Sequence, residues 1–506
     1  MKFHDTQIPH PLVEQNEFRT MEPEDAELPS FEEQRQNLPQ PTWEGHQTAI
    51  ECYWKTWQLA FQYLRRPAPG SGFVANFIDT AFNDRLFLWD SVFILMFGRY
   101  GQRAFPFQRT LDNLYAKQHR DGFICREIDE ASGSDSFHPH DPTSTGPNVL
   151  AWSEWEHFCN SADRGRLARV FPVLVAYHDW MRKWRTWPDG SYFSSGWGCG
   201  MDNQPRLPRG YHEAFDHGHT VWVDATLQAI FSAKLLLRMG GVLGRREQVA
   251  HLQEEVERLT RFVNDRLWDD REGFYFDMWP DGSLNGVKSV AAFWALLAGV
   301  AEADKQQRLI AHLCDESAFA RPHPVPSLSA DHPDYEPQGQ YWRGAVWPPT
   351  NYMILRGLTE CGRHQLAYHI ARKHLENVLK VFEDTGTVWE NYAPEAPQPG
   401  NIAKNDFVGW GGVPPVAVLL EYVFGLRPDR SAGRLFWDVR LLEGHGVRGY
   451  PFGPEGSLDL WCPARKDPEE KPAVEVRSTV PLRLRLHWQG GSEDIEVQPR
   501  STPATE

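Results

Sequence analysis

The chain has 506 residues, 41% of them hydrophobic and 24% charged, with 52 basic and 68 acidic side chains giving a formal charge of −16. That composition calls for a folded core, and an acidic balance without a long basic run excludes nucleic acid or an anionic membrane surface as the main partner. Its longest strongly apolar stretch, Val290 to Ala301, falls well short of the roughly 20 residues that span a bilayer.

The chain opens on Met1-Lys2-Phe3-His4-Asp5 without an apolar signal core, and its seven cysteines are scattered without C-x-x-C spacing. Both features point to reduced thiols and a cytoplasmic location. Residues 1–45 are acidic and proline-punctuated, as expected of an arm lying over the body. Helical candidates then follow at 46–66, 87–101, 104–119, 147–160, 163–186, 218–239, 244–268, 289–301, 303–314, 347–361, 363–383 and 413–425. They are of two kinds. Residues 244–268 carry Val249, Leu252, Val256, Leu259 and Val263 at spacings of three and four, one apolar stripe on a wetted helix; 363–383 does the same. Residues 289–301 and 413–425 are apolar all round, the mark of helices buried on every side.

Buried and amphipathic helices alternate, as when an inner ring is wrapped by an outer one. The expected class is all-α, an (α/α)6 toroid over residues 46–430. An α-solenoid is the competing arrangement, but no fixed-period repeat is present. From 431 to 506 the pattern changes to short alternating strands such as Leu482-Arg483-Leu484-Arg485-Leu486, a small β-rich appendage.

The connections are lopsided. Links from inner to outer helices are short, whereas those from outer to inner (120–146, 187–217, 269–288, 315–346 and 384–412) are long. Loops of that length in a compact domain are ordinarily functional, and in a toroid all five lie at the end where inner helices begin. That face should hold the site. Its clusters mix carboxylates or arginine with large aromatics: Trp89-Asp90-Ser91; Gly122 to Glu127, with Arg126; Gly196-Trp197 running to Asp202-Asn203; Tyr341-Trp342-Arg343; Trp389-Glu390-Asn391-Tyr392; and Trp410. Two carboxylates in an aromatic-walled cleft suit glycoside hydrolysis, where one carboxyl delivers a proton and the other stays ionised.

The strings Trp89-Asp90-Ser91, Gly200-Met201-Asp202-Asn203-Gln204-Pro205-Arg206, Tyr341-Trp342-Arg343-Gly344-Ala345-Val346-Trp347-Pro348-Pro349 and Trp389-Glu390-Asn391-Tyr392 resemble the motifs of glycoside hydrolase family 63. The likeness runs in order over roughly residues 75 to 425. The family includes processing α-glucosidases and mannosylglycerate- and glucosylglycerate-hydrolase-like enzymes, with trehalases related to it. Membership implies an (α/α)6 barrel and inverting hydrolysis of an α-glycosidic bond, with Asp202 as general acid and Glu390 as general base. It also implies a small carbohydrate substrate, glucose favoured over mannose by family weight, and no metal or organic cofactor.

Without the resemblance, an Asp in a glycine-rich loop ordinarily only shapes a turn, and Asp384, Glu395 and Asp406 compete with Glu390. Trp89, Asp90, Gln118, Arg126, Trp197, Asn203, Trp342, Arg343, Trp347 and Trp410 are the candidates for sugar contact. Gln204 departs from the Ser usual in the family, as does Gly411-Gly412 after Trp410. His138-Pro139-His140-Asp141 has ligand-type residues but a proline between the histidines, and no metal is expected there. Two other functions use the same architecture: a sugar epimerase or uronate lyase, which would need bases such as His212, His217 or His219, and a non-catalytic carbohydrate-binding protein. No feature specifies an oligomeric state.

Overall fold

The computed structural model describes residues 8–79 and 83–499; the first seven residues of the arm, with Met1 to Asp5, lie outside the described residues. Each helical candidate contains a helix: α1 (Gln47–Gln62), α2 (Leu88–Gly98), α3 (Thr110–Ala116), α4 (Leu150–Ser161), α5 (Arg164–Trp184), α6 (Val223–Leu243), α7 (His251–Arg266), α8 (Trp294–Leu297), α9 (Ala303–His312), α10 (Pro348–Glu360), α11 (His364–Thr385) and α12 (Val413–Val423). A 3₁₀ turn over Val290–Phe293 leads into α8, and α12 is wound as a π-helix. Prolines stand in the first turns of α10 and α12, where a missing N–H leaves no helical bond unmade.

The even-numbered helices touch one another in order from α2 to α12, and α12 closes back on α2. Every residue of α2 and of α12 is buried, whereas α7 buries a stripe that includes Leu252, Val256, Leu259 and Val263. Large rings fill the hub. Trp152 of α4 meets Phe93 of α2, Phe231 of α6, Trp294 of α8 and Tyr352 of α10 at centroid distances of 5.7–5.9 Å. Toward the ends of these helices the hub turns ionic. Arg99, the residue that follows α2, binds Glu156 of α4 and Glu421 of α12, while on α10 Arg356 reaches the same two carboxylates and Tyr352 reaches Glu421. Charges removed from water in this way require full pairing, and the cluster ties four helices together.

The all-α class is too narrow. Strand β1 (Gln40–Trp43) comes from the N-terminal arm; β2 (Leu426–Asp429), β3 (Arg434–Asp438), β4 (His445–Pro451), β5 (Ser457–Cys462), β6 (Glu475–Ser478), β7 (Leu482–Trp488) and β8 (Gly491–Val497) come from the C-terminal part. They form two four-stranded sheets, ordered β1-β4-β5-β6 and β8-β7-β3-β2. β1 pairs antiparallel with β4, Gln40 opposite Arg448, so the arm is part of the C-terminal sheet. Upstream, Phe18 is buried against Tyr115, with the Arg169 guanidinium over its ring at 4.8 Å.

Candidate active site

Four of the five long links and the start of α2 meet around one small cavity. A larger hollow lies by the ends of α2 and α4, near Arg103 and Asn160, but the smaller one carries the chemistry. Asp90, Asp202 and Glu390 all line it, with Arg126 and the rings of Trp89, Trp197, Tyr341, Trp342 and Trp410. The 269–288 link supplies none of this lining; its Asp277 serves to hold Arg206.

Short pairings bring these side chains together. Strand Arg85–Phe87 pairs with Glu127–Asp129, and the Leu88 N–H donates to the Arg126 carbonyl at 2.8 Å. This sets Trp89 and Asp90, in the first turn of α2, beside Arg126. The Arg126 guanidinium donates to the Thr143 carbonyl at 2.8 Å and lies over Phe137 and Trp197. Asp202 follows a one-turn helix, Gly196–Cys199, that ends on Gly200 at φ +78°. A Cβ there would stand 3.2 Å from the Trp89 indole, so glycine lets the acid loop close on the aromatic wall. Below it Arg206, fully buried, is held at 2.7–3.0 Å by Asp224 and Asp277.

The facing wall is clipped to the acid loop. Asn203 accepts the Trp342 N–H at 2.9 Å and donates to the Gln340 carbonyl at 3.0 Å. Gln204 donates to the Ser327 carbonyl and accepts from the Ser289 hydroxyl, a span a Ser side chain could not cover. Gln340 and Tyr341 both take positive φ, 38° and 64°, a strained turn of the kind retained where geometry matters. Trp342 stacks on Trp347 at 3.9 Å with the planes 1° apart, and Trp410 meets Trp347 at 5.7 Å. A Cβ at Gly412 would lie 2.5 Å from Phe97, which accounts for the missing Ser there.

The carboxylates are in unequal surroundings. Glu390 accepts from the Tyr341 hydroxyl at Oε1 and from the Lys404 N–H at Oε2, both at 3.2 Å. Among the described residues Asp202 receives no side-chain donor, and no hydrogen bond joins it to Glu390. Burial lifts all three carboxyls: Asp202 to about 6, with Arg126 pulling back; Glu390 to about 7, with Lys404 and Tyr341 pulling back; Asp90 to about 8, with Arg126 opposing and Glu390 and Asp202 adding. Burial, reinforced by the three carboxylates, drives the Tyr341 phenol far up, so it remains a donor. Among the described residues, buried Asp90 Oδ1 has no hydrogen-bond partner, which suits it to a sugar hydroxyl.

Trp89, Asp90, Arg126, Trp197, Trp342 and Trp410 therefore line the cavity with the two catalytic candidates. Four others do not. Gln118 lies in the interior, where it donates to the Gly122 and Val173 carbonyls and accepts from Asn16, pinning the arm. Asn203 and Trp347 stand one layer behind the wall, and Arg343 is taken by the Asn203 carbonyl and Glu213. Of the competing bases, Glu395 is bound by Arg321 and Tyr335, and Asp406 accepts from Thr387. His212 stacks on Phe215, and His217 and His219 pack beside Trp187, all outside the cavity. Tyr341 was not among the candidates; it sits inside the Tyr-Trp-Arg-Gly string, next to two that were.

Residues 84–406, well over half the chain, match the family described as the mannosylglycerate hydrolase MGH1-like glycoside hydrolase domain. The chain belongs to that family. Among relatives of this glycoside hydrolase, mannosylglycerate hydrolase MGH1 of Selaginella moellendorffii is 25% identical over 378 residues, 60% of this chain and 75% of that one. A probable mannosyl-oligosaccharide glucosidase of Schizosaccharomyces pombe is 25% identical over 278 residues, and the match spans 48% of this chain and only 33% of that protein. In fold, the chain is similar to the GH63 mannosylglycerate hydrolase of Thermus thermophilus solved with glucose, with a TM-score of 0.58 and 21% identity over 72% of this chain and 99% of that one.

Proposed function

We propose that this glycoside hydrolase inverts configuration at an α-glycosidic bond, most simply that of a small α-glucoside, in the mouth of an (α/α)6 barrel. The closed ring of even-numbered helices supports the barrel. One observation carries the mechanism: two lifted carboxyls face one cavity, Glu390 held by the Tyr341 hydroxyl and the Lys404 N–H, Asp202 without a side-chain donor. The two donors hold the Glu390 carboxylate in place to take a proton, so Glu390 is the base, and Asp202, without a side-chain donor, is left to deliver one. A sugar in the cavity sets its glycosidic oxygen against Asp202. The bond from C1 to that oxygen breaks as the Asp202 proton moves onto it. On the opposite face a water oxygen bonds to C1 and gives its proton to Glu390. Inversion needs about 6.5–9.5 Å between the carboxyl groups to admit that water.

In the free enzyme the proton order is the reverse of the one the reaction uses, because Glu390 is lifted higher than Asp202. The two titrate as a pair, and the reactive form is the minor singly protonated one. Trp89 and Trp410 offer apolar ring surface to the sugar, and Asp90 an acceptor for a hydroxyl. Relatives named mannosylglycerate hydrolase and probable mannosyl-oligosaccharide glucosidase support a glycoside as substrate. The test is hydrolysis of trehalose, kojibiose, nigerose, maltose, isomaltose, glucosylglycerate and mannosylglycerate, with NMR of the first-formed anomer. A β-anomer from an α-substrate supports the proposal, and an α-anomer refutes inversion.

A further inference from the structure

Trp197, on the cavity wall, has more rings on its outer side. Phe215 meets it edge-on at 4.6 Å, and His212 stacks on Phe215 at 4.5 Å. Phe215 is 43% exposed and its neighbour Tyr211 40%, two of the few large apolar side chains left in water. The turn that carries them is braced. The Trp197 N–H donates to the Ala214 carbonyl at 2.9 Å and the Gly196 N–H to the Glu213 carbonyl at 3.2 Å. The His212 N–H donates to Asp216 at 2.8 Å, and Glu213 holds Arg343 at 2.8 Å. A rigid aromatic step thus rises from the cavity rim on the segment that carries Asp202.

An acid that protonates the leaving oxygen lies on the leaving-group side of the scissile bond, and the backbones of Asp202 and of Ala214, next to Phe215, crowd the same side of Gly196, so the step borders that side. Arg126 and Arg343, the cations nearest the acid loop that could meet an acidic leaving group, are already paired with Glu127 and Glu213. Exposed ring faces held in place reward a flat C–H surface laid on them. Resting on the reading of Asp202 as the acid, we infer that Phe215, backed by Trp197 and His212, is the platform for the leaving group, and that this group is an uncharged ring such as a second hexopyranose rather than a small hydroxy acid.

The experiment compares kcat/KM for the best α-glucobiose of the panel, for glucosylglycerate and for α-glucosyl fluoride, whose leaving group occupies no platform. Wild type should prefer the glucobiose to glucosylglycerate by at least about tenfold. Phe215→Ala should lower the ratio of glucobiose to fluoride rates about tenfold, through KM, and Phe215→Tyr should restore it. Preference for glucosylglycerate, or a ratio untouched by Phe215→Ala, overturns the platform. If no substrate is hydrolysed, the catalytic reading fails, and the platform is then read by calorimetry in Asp202→Asn. There, glucobiose should bind about tenfold more weakly once Phe215→Ala is added, and equal binding overturns the inference.

Discussion

Replacing Tyr341 by Phe removes one hydroxyl and leaves the ring against Trp347. The hydroxyl donates to Glu390 Oε1 at 3.2 Å. A hydrogen bond to a charged group contributes about 1.5–3 kcal/mol, and at this length the low end applies; about 1.4 kcal/mol corresponds to one pH unit. Glu390 loses a donor that favours its ionised form, so its pKa rises by about one unit. It begins above Asp202, so the pair carrying its proton on Asp202 is already the minor part of the singly protonated form. The substitution lowers that share about tenfold. The pH profile of kcat/KM should therefore fall about tenfold at its optimum, and its alkaline limb should move up by about one pH unit while the acid limb stays near 6. Steady-state rates from pH 4.5 to 9, with an unchanged thermal midpoint as the folding control, give the answer. An alkaline limb that stays put or moves down refutes the assignment of Glu390 as the group Tyr341 steers.

Asp202→Asn and Glu390→Gln should each lower kcat by about 10²–10⁴-fold, the usual worth of general acid–base groups, while sugar binding by calorimetry persists. Asp90, lifted to about 8 by burial, enters the reaction uncharged below that pH. Asp90→Ala should raise KM about tenfold and Asp90→Asn markedly less, in assays at pH 6. Arg206→Met leaves Asp224 and Asp277 buried without their partner and should destabilise the fold by about 3–5 kcal/mol in chemical denaturation.

The helices were legible because burial leaves a periodic trace, and all twelve candidates hold one. The strands were less so. β1 contains Pro41, tolerable because this strand is the edge of its sheet, and β4 is interrupted by Gly446 and Gly449, so its alternation shows only beside its partners. In the site, residue types in long links pointed to residues that the structure gathers around one cavity, since a carboxylate beside a tryptophan is a chemical signal independent of geometry. Side-chain direction leaves no such mark. Gln118 stands next to the first long link yet turns inward to bind Asn16, and Arg343 lies beside two lining residues yet turns to Glu213. Tyr341 acts on Glu390 from a left-handed backbone turn, and nothing local in its string announces it.

β1 and β4 face each other across about 400 intervening residues. At about 5–20 residues per second of synthesis, the opening strand waits on the order of 20–80 s on the ribosome before its mate emerges. Throughout that interval Gln40 to Trp43 is an unsatisfied edge, and Trp43, buried in the finished protein, faces water. The pairing of β1 with β4 is thus a late step of folding, and a break in either strand should be felt in the other.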